Sequence, residues 1–368
     1  MDARWPLAFG ASLVLSVLVT PVVRGLARSC RFVDEPAGHK AHHLPTPYLG
    51  GVAIMLSVAL VVAGVGQPSW RMGLVVCAGL LLGTMGLVDD DATLSPSLRL
   101  LVELVAALAA VFVGLRIHAT GIVWLDLVIT LVWIVGVTNA FNLLDNMDGL
   151  AAGVAGVVAV AVVALATVGH QPAAGVLAGT VAGACLGFLA YNRRPASIYM
   201  GDAGSLFLGF LLAIVTIDVN PSLAPPASFA VPLMLLALPV LDTTIVTLAR
   251  LRHGRPVTQG GRDHLSHRLV ALGLQPGAAV ATLLGVQAVV ATLAVLAGSE
   301  DIPLGLGMAG VMAVIAGLSL VTARVEVYPV PLVGLLRGLV GAARGPRATV
   351  VVLAPPPGAS PAGGMDWE

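Results

Sequence analysis

Eleven apolar stretches, each near the length that crosses a bilayer, constrain this chain more than any other feature. A helical span needs about 20 mostly apolar residues, because lipid offers no partner for backbone N–H and C=O groups. The stretches run at about 5–27, 48–66, 72–88, 98–115, 121–140, 150–169, 173–190, 203–218, 228–249, 278–298 and 303–322. Composition agrees: the 368 residues are 58% apolar and only 10% charged, where a soluble domain has about 25% charge. The expected fold class is therefore all-α, a polytopic integral membrane protein. Several stretches are rich in Gly and Ala, which suits close helix packing in lipid. The first stretch is too long for a signal-peptide core and lacks a convincing cleavage site, so it reads as a retained span.

Basic residues set the expected orientation. Sixteen of the nineteen fall on one side of the alternating loops, from Arg24, Arg28, Arg31 and Lys40 to Arg344 and Arg347. Arg4, Arg71 and Arg116 fall on the other. Loops with an Arg and Lys excess stay in the cytoplasm. The N-terminus is then outside, and the C-terminus is cytoplasmic. Residues 1–322 read as the membrane domain and 323–368 as a cytoplasmic tail. In the tail, residues 330–340 suggest a short amphipathic segment and 355–364 a disordered one. Net charge is zero, so no global field recruits nucleic acid. Cys30, Cys77 and Cys185 are far apart and lack metal-ligand spacing, so they read as buried small hydrophobes.

The acids are gathered on the basic side. Asp89, Asp90 and Asp91 follow the third stretch; Asp145 and Asp148 follow the fifth; Asp202 opens the eighth. Three consecutive aspartates alone would more often be a solvated turn. Here each cluster abuts an apolar span, where an unpaired carboxylate is costly. Across residues 139–148, polar side chains recur every third position, so a helical turn puts Asn142, Asp145 and Asp148 on adjoining parts of one face. Gly201-Asp202-Ala203-Gly204-Ser205 combines small residues with a helix start, a setting that lets phosphate approach backbone N–H groups; a plain helix cap by Asp202 is the alternative. In the loop after the ninth stretch, Arg262, His264, His267 and Arg268 stand together. Two imidazoles without a cysteine or third close histidine do not make a zinc site. Arginines and histidines facing carboxylates suit a phosphorylated substrate bridged by a hard cation, Mg²⁺ with Mn²⁺ as substitute. Asp242, within the ninth stretch, is open between helix packing and a site role.

These motifs resemble, in order, those of the polyprenyl-phosphate N-acetylhexosamine-1-phosphate transferases. The likeness covers about residues 5–322 and rests on Pro45-Thr46-Pro47-Tyr48-Leu49-Gly50-Gly51, Gly86-Leu87-Val88-Asp89-Asp90-Asp91 with Arg99 downstream, residues 139–148, and residues 192–205 including Tyr199. The family's histidine motif carries a close group of three. Here Ser266 stands in the middle position, which argues against the muramoyl-pentapeptide branch, whose motif is a run of histidines, and toward the branch using UDP-N-acetylglucosamine or a related donor.

The resemblance implies transfer of a sugar-1-phosphate from a UDP-sugar to undecaprenyl or decaprenyl phosphate, with release of UMP, at the cytoplasmic face of the cell membrane. It implies Asp89, Asp90 and Asp202 as catalytic residues and Asp89, Asp90, Asp145 and Asp202 as ligands of Mg²⁺. Substrate would be held by Lys40, Arg99, Asn139, Asn142, Asp145, Asp148, Asn192, Tyr199, Arg262, His264, His267 and Arg268. The partners are thus a UDP-sugar, a polyprenyl phosphate and the bilayer; a homodimer follows only by analogy. The rival class is a transporter or flippase for an anionic or lipid-linked substrate, which would place its charges near mid-bilayer.

Overall fold

Every apolar stretch becomes helix. The computed structural model describes residues 4–34, 46–65, 69–219, 227–258, 260–328 and 351–352. Lys40 and the tail segments 330–340 and 355–364 lie outside the described residues. Among the described residues the chain forms α1 (Trp5–Ser29), α2 (Gly50–Val65), α3 (Trp70–Asp91), α4 (Pro96–Phe112), α5 (Val123–Leu144), α6 (Leu150–Val168), α7 (Pro172–Asn192), α8 (Gly201–Asp218), α9 (Ala227–Leu235), α10 (Ala237–Arg252), α11 (Leu265–Ala271), α12 (Pro276–Gly298) and α13 (Leu304–Thr322). Two short strand pairs accompany them: β1 (Val33–Asp34) antiparallel to β2 (Thr46–Pro47), and β3 (Val325–Glu326) parallel to β4 (Val351–Val352).

Among the described residues, eight helices are long and apolar enough to cross a membrane: α1, α3, α5, α6, α7, α8, α12 and α13. The second and fourth expected spans are shorter, at 16 residues for α2 and 17 for α4. Each reaches roughly 25 Å at 1.5 Å per residue. The ninth expected span is not one helix. It breaks at Leu236 into α9 and α10, bent by 70°. Pro239 is the cause: it has no N–H for the Leu235 carbonyl, and its ring crowds that carbonyl. The freed oxygen is satisfied instead by Gln287 of α12, whose Nε2 donates to it at 2.9 Å. A broken helix is tolerated at membrane depth where neighbours supply such partners.

Side chains such as Val22, Phe112 and Leu320 are at least 70% exposed, as expected of surfaces facing lipid rather than water. The innermost helices are α7 and α8. Close approach needs small residues. A Cβ on Gly183 of α7 would run into the Phe9 carbonyl of α1, and one on Gly51 of α2 into the backbone of Gly204 in α8. Among the cysteines only Cys185 is buried; Cys30 and Cys77 are exposed, contrary to the sequence expectation. Cys30 caps the end of α1, and Cys77 sits on an outer face of α3.

This packing gathers the acid-bearing helix ends around one cleft. The opposite ends surround a second cavity lined by Arg4, Ser69, Arg71, Gly114, Pro172 and Asp218.

Candidate active site

The cleft has a volume of roughly 630 Å³. Its floor begins with the Thr46–Gly51 segment, which pairs with residues 199–200. The Tyr199 N–H donates to the Pro47 carbonyl at 2.7 Å, Gly50 N–H to Tyr199 O at 2.9 Å and Gly51 N–H to Met200 O at 2.8 Å. Two distant motifs are thereby locked edge to edge. Gly201 then turns the chain into α8 with φ +71°, a left-handed conformation that glycine adopts without steric cost. A Cβ there would also sit 2.5 Å from the Asp90 carboxylate.

Asp90 reaches across to the start of α8. Its Oδ1 accepts the Asp202 N–H at 3.0 Å, and its Oδ2 the Ala203 N–H at 3.5 Å. A carboxylate at a helix N-terminus satisfies donors that otherwise lack partners. The expected phosphate cradle at this N-terminus is therefore corrected: Asp90 already occupies its first N–H groups. The capping alternative fails too, because Met200 holds the N-cap position. The Asp202 side chain turns to Asn142, whose Nδ2 donates to its Oδ1 at 2.9 Å and to Ser205 Oγ at 3.1 Å. Arg99 joins Asp89 to Asp202: its guanidinium pairs with the Asp89 carboxylate and lies 3.6 Å from Asp202 Oδ2.

Asp145 and Asp148 follow α5 and face the same space. Asp148 Oδ2 accepts the Ala196 N–H at 3.1 Å. Asn192 ties the adjoining loops: its Oδ1 accepts the Gly149 N–H and its Nδ2 donates to Ile198 O, both at 3.0 Å. Burial, aided by the neighbouring carboxylates Asp202, Asp90 and Asp148, pushes the Asp145 carboxyl up to about 8. Such a group releases its proton readily only when positive charge arrives.

The opposite wall is the basic loop and α11. Asp242 is the anchor, buried in α10: its Oδ2 meets His264 Nδ1 at 2.8 Å and its Oδ1 accepts the Leu265 N–H at 2.7 Å. It thus caps α11 and orients a histidine. Asp263 receives Arg250 through Nε at 2.8 Å and Nη2 at 3.0 Å. Arg250 is 1% exposed, so it is a buried ion-pair partner rather than a headgroup anchor. His267 lines the cleft with Arg262. Burial, with the electrostatic effect of the neighbouring His264 and Arg262, lowers the His267 imidazole to about 4.

Of the expected site residues, Asp90, Asp145, Asp148, Asn192, Tyr199, Asp202, Arg262 and His267 line the cleft. Asn142 and Arg99 stand behind Asp202. Four others turn elsewhere. Asp89 accepts the Leu94 N–H at 2.6 Å and pairs with Arg99. Asn139 lies one turn deeper and donates to Glu103 at 2.6 Å. His264 faces Asp242. Arg268 donates to the Asp263, Thr322 and Val325 carbonyls. Asp34, Tyr48, Asn146 and Arg194 also line the cleft and were not among the expected site residues. Tyr48, Asn146 and Arg194 lie inside the motifs that carry the resemblance, but Asn146 breaks the every-third spacing and Asp34 lies outside every motif.

Two comparisons bear on this arrangement. The family model described as glycosyl transferase family 4 matches residues 72–220, which hold Asp90, Asp145 and Asp202. A probable undecaprenyl-phosphate N-acetylglucosaminyl 1-phosphate transferase of Bacillus subtilis is 32% identical over 74% of this chain and 78% of its own length. The chain belongs to glycosyl transferase family 4. Other relatives include a decaprenyl-phosphate N-acetylglucosaminephosphotransferase of Mycolicibacterium smegmatis, 30% identical over 71% of this chain and 74% of the relative. A phospho-N-acetylmuramoyl-pentapeptide-transferase of Shouchella clausii is 32% identical over 57% and 72%.

The expected four-carboxylate metal set is not assembled in this family 4 chain. Among the described residues, no three His, Cys, Asp or Glu side chains are grouped tightly enough to enclose a metal ion. Asp89 stays off the cleft lining, paired with Arg99 and in contact with the Asp202 carboxylate. Asp90, Asp145 and Asp202 remain, three hard oxygen donors on one cleft. That set still suits Mg²⁺, which uses one or two carboxylates and completes its shell with water and substrate phosphate.

Proposed function

We propose that this membrane enzyme transfers N-acetylglucosamine-1-phosphate from its UDP-sugar to a polyprenyl phosphate and releases UMP, beginning a cell-envelope glycan. The observation that carries the reading is the convergence of Asp90, Asp145 and Asp202 opposite Arg262 and His267 in one cleft at the helix ends. The printed activities of the Bacillus and Mycolicibacterium relatives support it. In this reading the cleft faces the cytoplasm, where the nucleotide resides. The transfer chemistry belongs to residues 1–322, with 323–368 as a tail on the same side.

A cleft at the bilayer surface brings together a phosphate tethered by its lipid chain and a nucleotide from water. One oxygen of the lipid phosphate forms a bond to the sugar-bearing phosphorus of the donor, and the bond from that phosphorus to the UMP oxygen breaks. The nucleophile is already an anion, so positioning and charge neutralisation dominate. One or two of Asp90, Asp145 and Asp202 would hold Mg²⁺, which would supply charge neutralisation for the diphosphate and the leaving UMP. Asn142 fixes the Asp202 carboxylate, and Arg99 restrains it from behind. Arg262 and Arg194 supply guanidinium donors to phosphate oxygens. His267, neutral at cellular pH, can donate one hydrogen bond to the sugar or diphosphate. Tyr199, which lines the cleft, would stack on the uracil.

The test is UMP release by purified protein given Mg²⁺, polyprenyl phosphate and a panel of UDP-sugars, including the muramoyl-pentapeptide donor. UDP-N-acetylglucosamine should be the preferred donor. Asp202→Asn should lower kcat by about a hundredfold or more, the scale of losing one preorganised charge-stabilising group. Wild-type activity with no donor, or an unimpaired Asp202→Asn variant, would defeat the proposal.

A further inference from the structure

The basic loop that forms one wall of the cleft has little structure of its own. Residues 252–258 and 260–262 are exposed, and Gly260-Gly261 lends the backbone no rigidity. Its position must come from outside it. Two tethers come from α10, through Asp242 and Arg250. A third comes from beyond the last membrane helix. Tyr328 sits six residues after the end of α13, and its hydroxyl donates to Asp263 Oδ2 at 2.7 Å. Its ring lies under Arg255, with the guanidinium carbon 4.1 Å from the ring centroid. His253 packs against the same ring at 5.2 Å. Arg268 fastens the same stretch of chain by donating to Thr322 O at 3.4 Å and Val325 O at 3.3 Å.

Asp263 is the hub of this arrangement. It is 0% exposed and accepts three side-chain hydrogen bonds, two from Arg250 and one from Tyr328. It stands between Arg262, which lines the cleft, and His264, which begins α11. A rotation of Asp263 moves its neighbour Arg262 and swings the start of the helix that carries His267. A charge-assisted network of this kind holds geometry more tightly than its members would separately.

We propose that Tyr328 is a positioning residue for the donor side of the cleft, holding Arg262 and His267 in place through Asp263. The segment after α13 is then a strap on the active site. This rests on the reading of the cleft as a nucleotide-sugar site. Tyr328 does not line the cleft, so it acts on donor binding and leaves the lipid acceptor and the carboxylates of α3, α5 and α8 untouched.

The experiment compares the full-length wild type with Tyr328→Phe and Tyr328→Ala in lipid nanodiscs. Tyr328→Phe removes only the hydroxyl and keeps the ring under Arg255, so folding is not at stake. The expected result is a donor KM raised about threefold to tenfold, the scale of one net hydrogen bond. The expected kcat and acceptor KM stay within about twofold. Tyr328→Ala should raise donor KM further. Amide hydrogen exchange should quicken over residues 255–268 and not over residues 142–149. A donor KM unchanged in both variants would overturn the proposal, as would a parallel loss in kcat and both KM values, which marks general destabilisation. If the wild type turns over no UDP-sugar, the functional reading fails by itself. The exchange comparison then decides the strap: faster exchange confined to 255–268 supports it, and unchanged exchange overturns it.

Discussion

Ser266 joins the two walls of the cleft. Its hydroxyl donates to Asn146 Oδ1 at 2.5 Å, and Asn146 Nδ2 donates to Leu143 O at 2.9 Å. The residue that departs from the three-histidine pattern therefore fastens α11 to the end of α5. It also leaves His267 with fewer imidazole neighbours. His267 still sits among His264 and Arg262, and burial with these neighbours lowers its imidazole from 6.5 to about 4. The consequence for stability has a definite sign. Between pH 6.5 and 4 the unfolded chain takes up a proton at this position that the folded chain refuses. The folded state is thus fully favoured above about pH 6.5 and loses ground as pH falls toward 4. The expected slope is at most about 1.4 kcal/mol per pH unit. Thermal unfolding of wild type and His267→Gln at a series of pH values checks this. The variant should lose less stability than wild type across that window, and identical slopes would refute the assignment. The residue types of the site could be read from the sequence because charge beside an apolar span is conspicuous. Their directions could not. Asp89, Asp90 and Asp91 are adjacent in sequence, yet Asp90 faces the cleft while Asp89 turns to Arg99, a choice set by the rotation of α3 against α8.

Helix contacts explain why glycines stand inside the acidic motif. Gly86 lies one turn before Asp90, where α3 crosses the start of α8. A Cβ there would lie 2.5 Å from the Asp202 carbonyl and 2.6 Å from the Ala203 nitrogen. These are backbone atoms and cannot swing aside. Gly73, in the same helix, has open space around it. Gly86→Ala should therefore destabilise the protein by about 1–3 kcal/mol through overpacking, and displace Asp202, so that UMP release falls more than stability does. Gly73→Ala should leave both unchanged or slightly improve stability. A Gly86→Ala variant that unfolds and turns over like wild type would show that α3 and α8 are not held this closely. At this scale the sequence was informative about existence and poor about continuity. Hydropathy places a helix at each of the eleven stretches, since lipid forces the backbone to satisfy itself. It cannot see that Pro239 breaks the ninth, because the break depends on Gln287 of α12 accepting the role of its missing donor. Nor could it see the tail contact, since Tyr328 and Asp263 are 65 residues apart.

Across the whole molecule, one face carries the cleft and the other carries Arg4 and Arg71 around a second cavity. The helix ends thus separate the basic residues as the loop pattern requires, and the proposed function needs the cleft on the cytoplasmic side, the side a positive-inside bias would give it. Cys30 makes this testable without engineering a label site. It is exposed and caps α1 two turns from Val23, at the end that leads to Asp34 in the cleft. The remaining cysteines do not compete for a polar reagent. Cys185 is buried, and Cys77 lies on the second turn of α3 within a span, facing what lipid would cover. A membrane-impermeant maleimide should label the protein in inside-out vesicles and leave it unlabelled in intact spheroplasts. Cys30→Ser should abolish the signal. Labelling from the outside, lost in Cys30→Ser, would invert the topology. It would then place the cleft away from the nucleotide pool, and the transferase reading would fall with it.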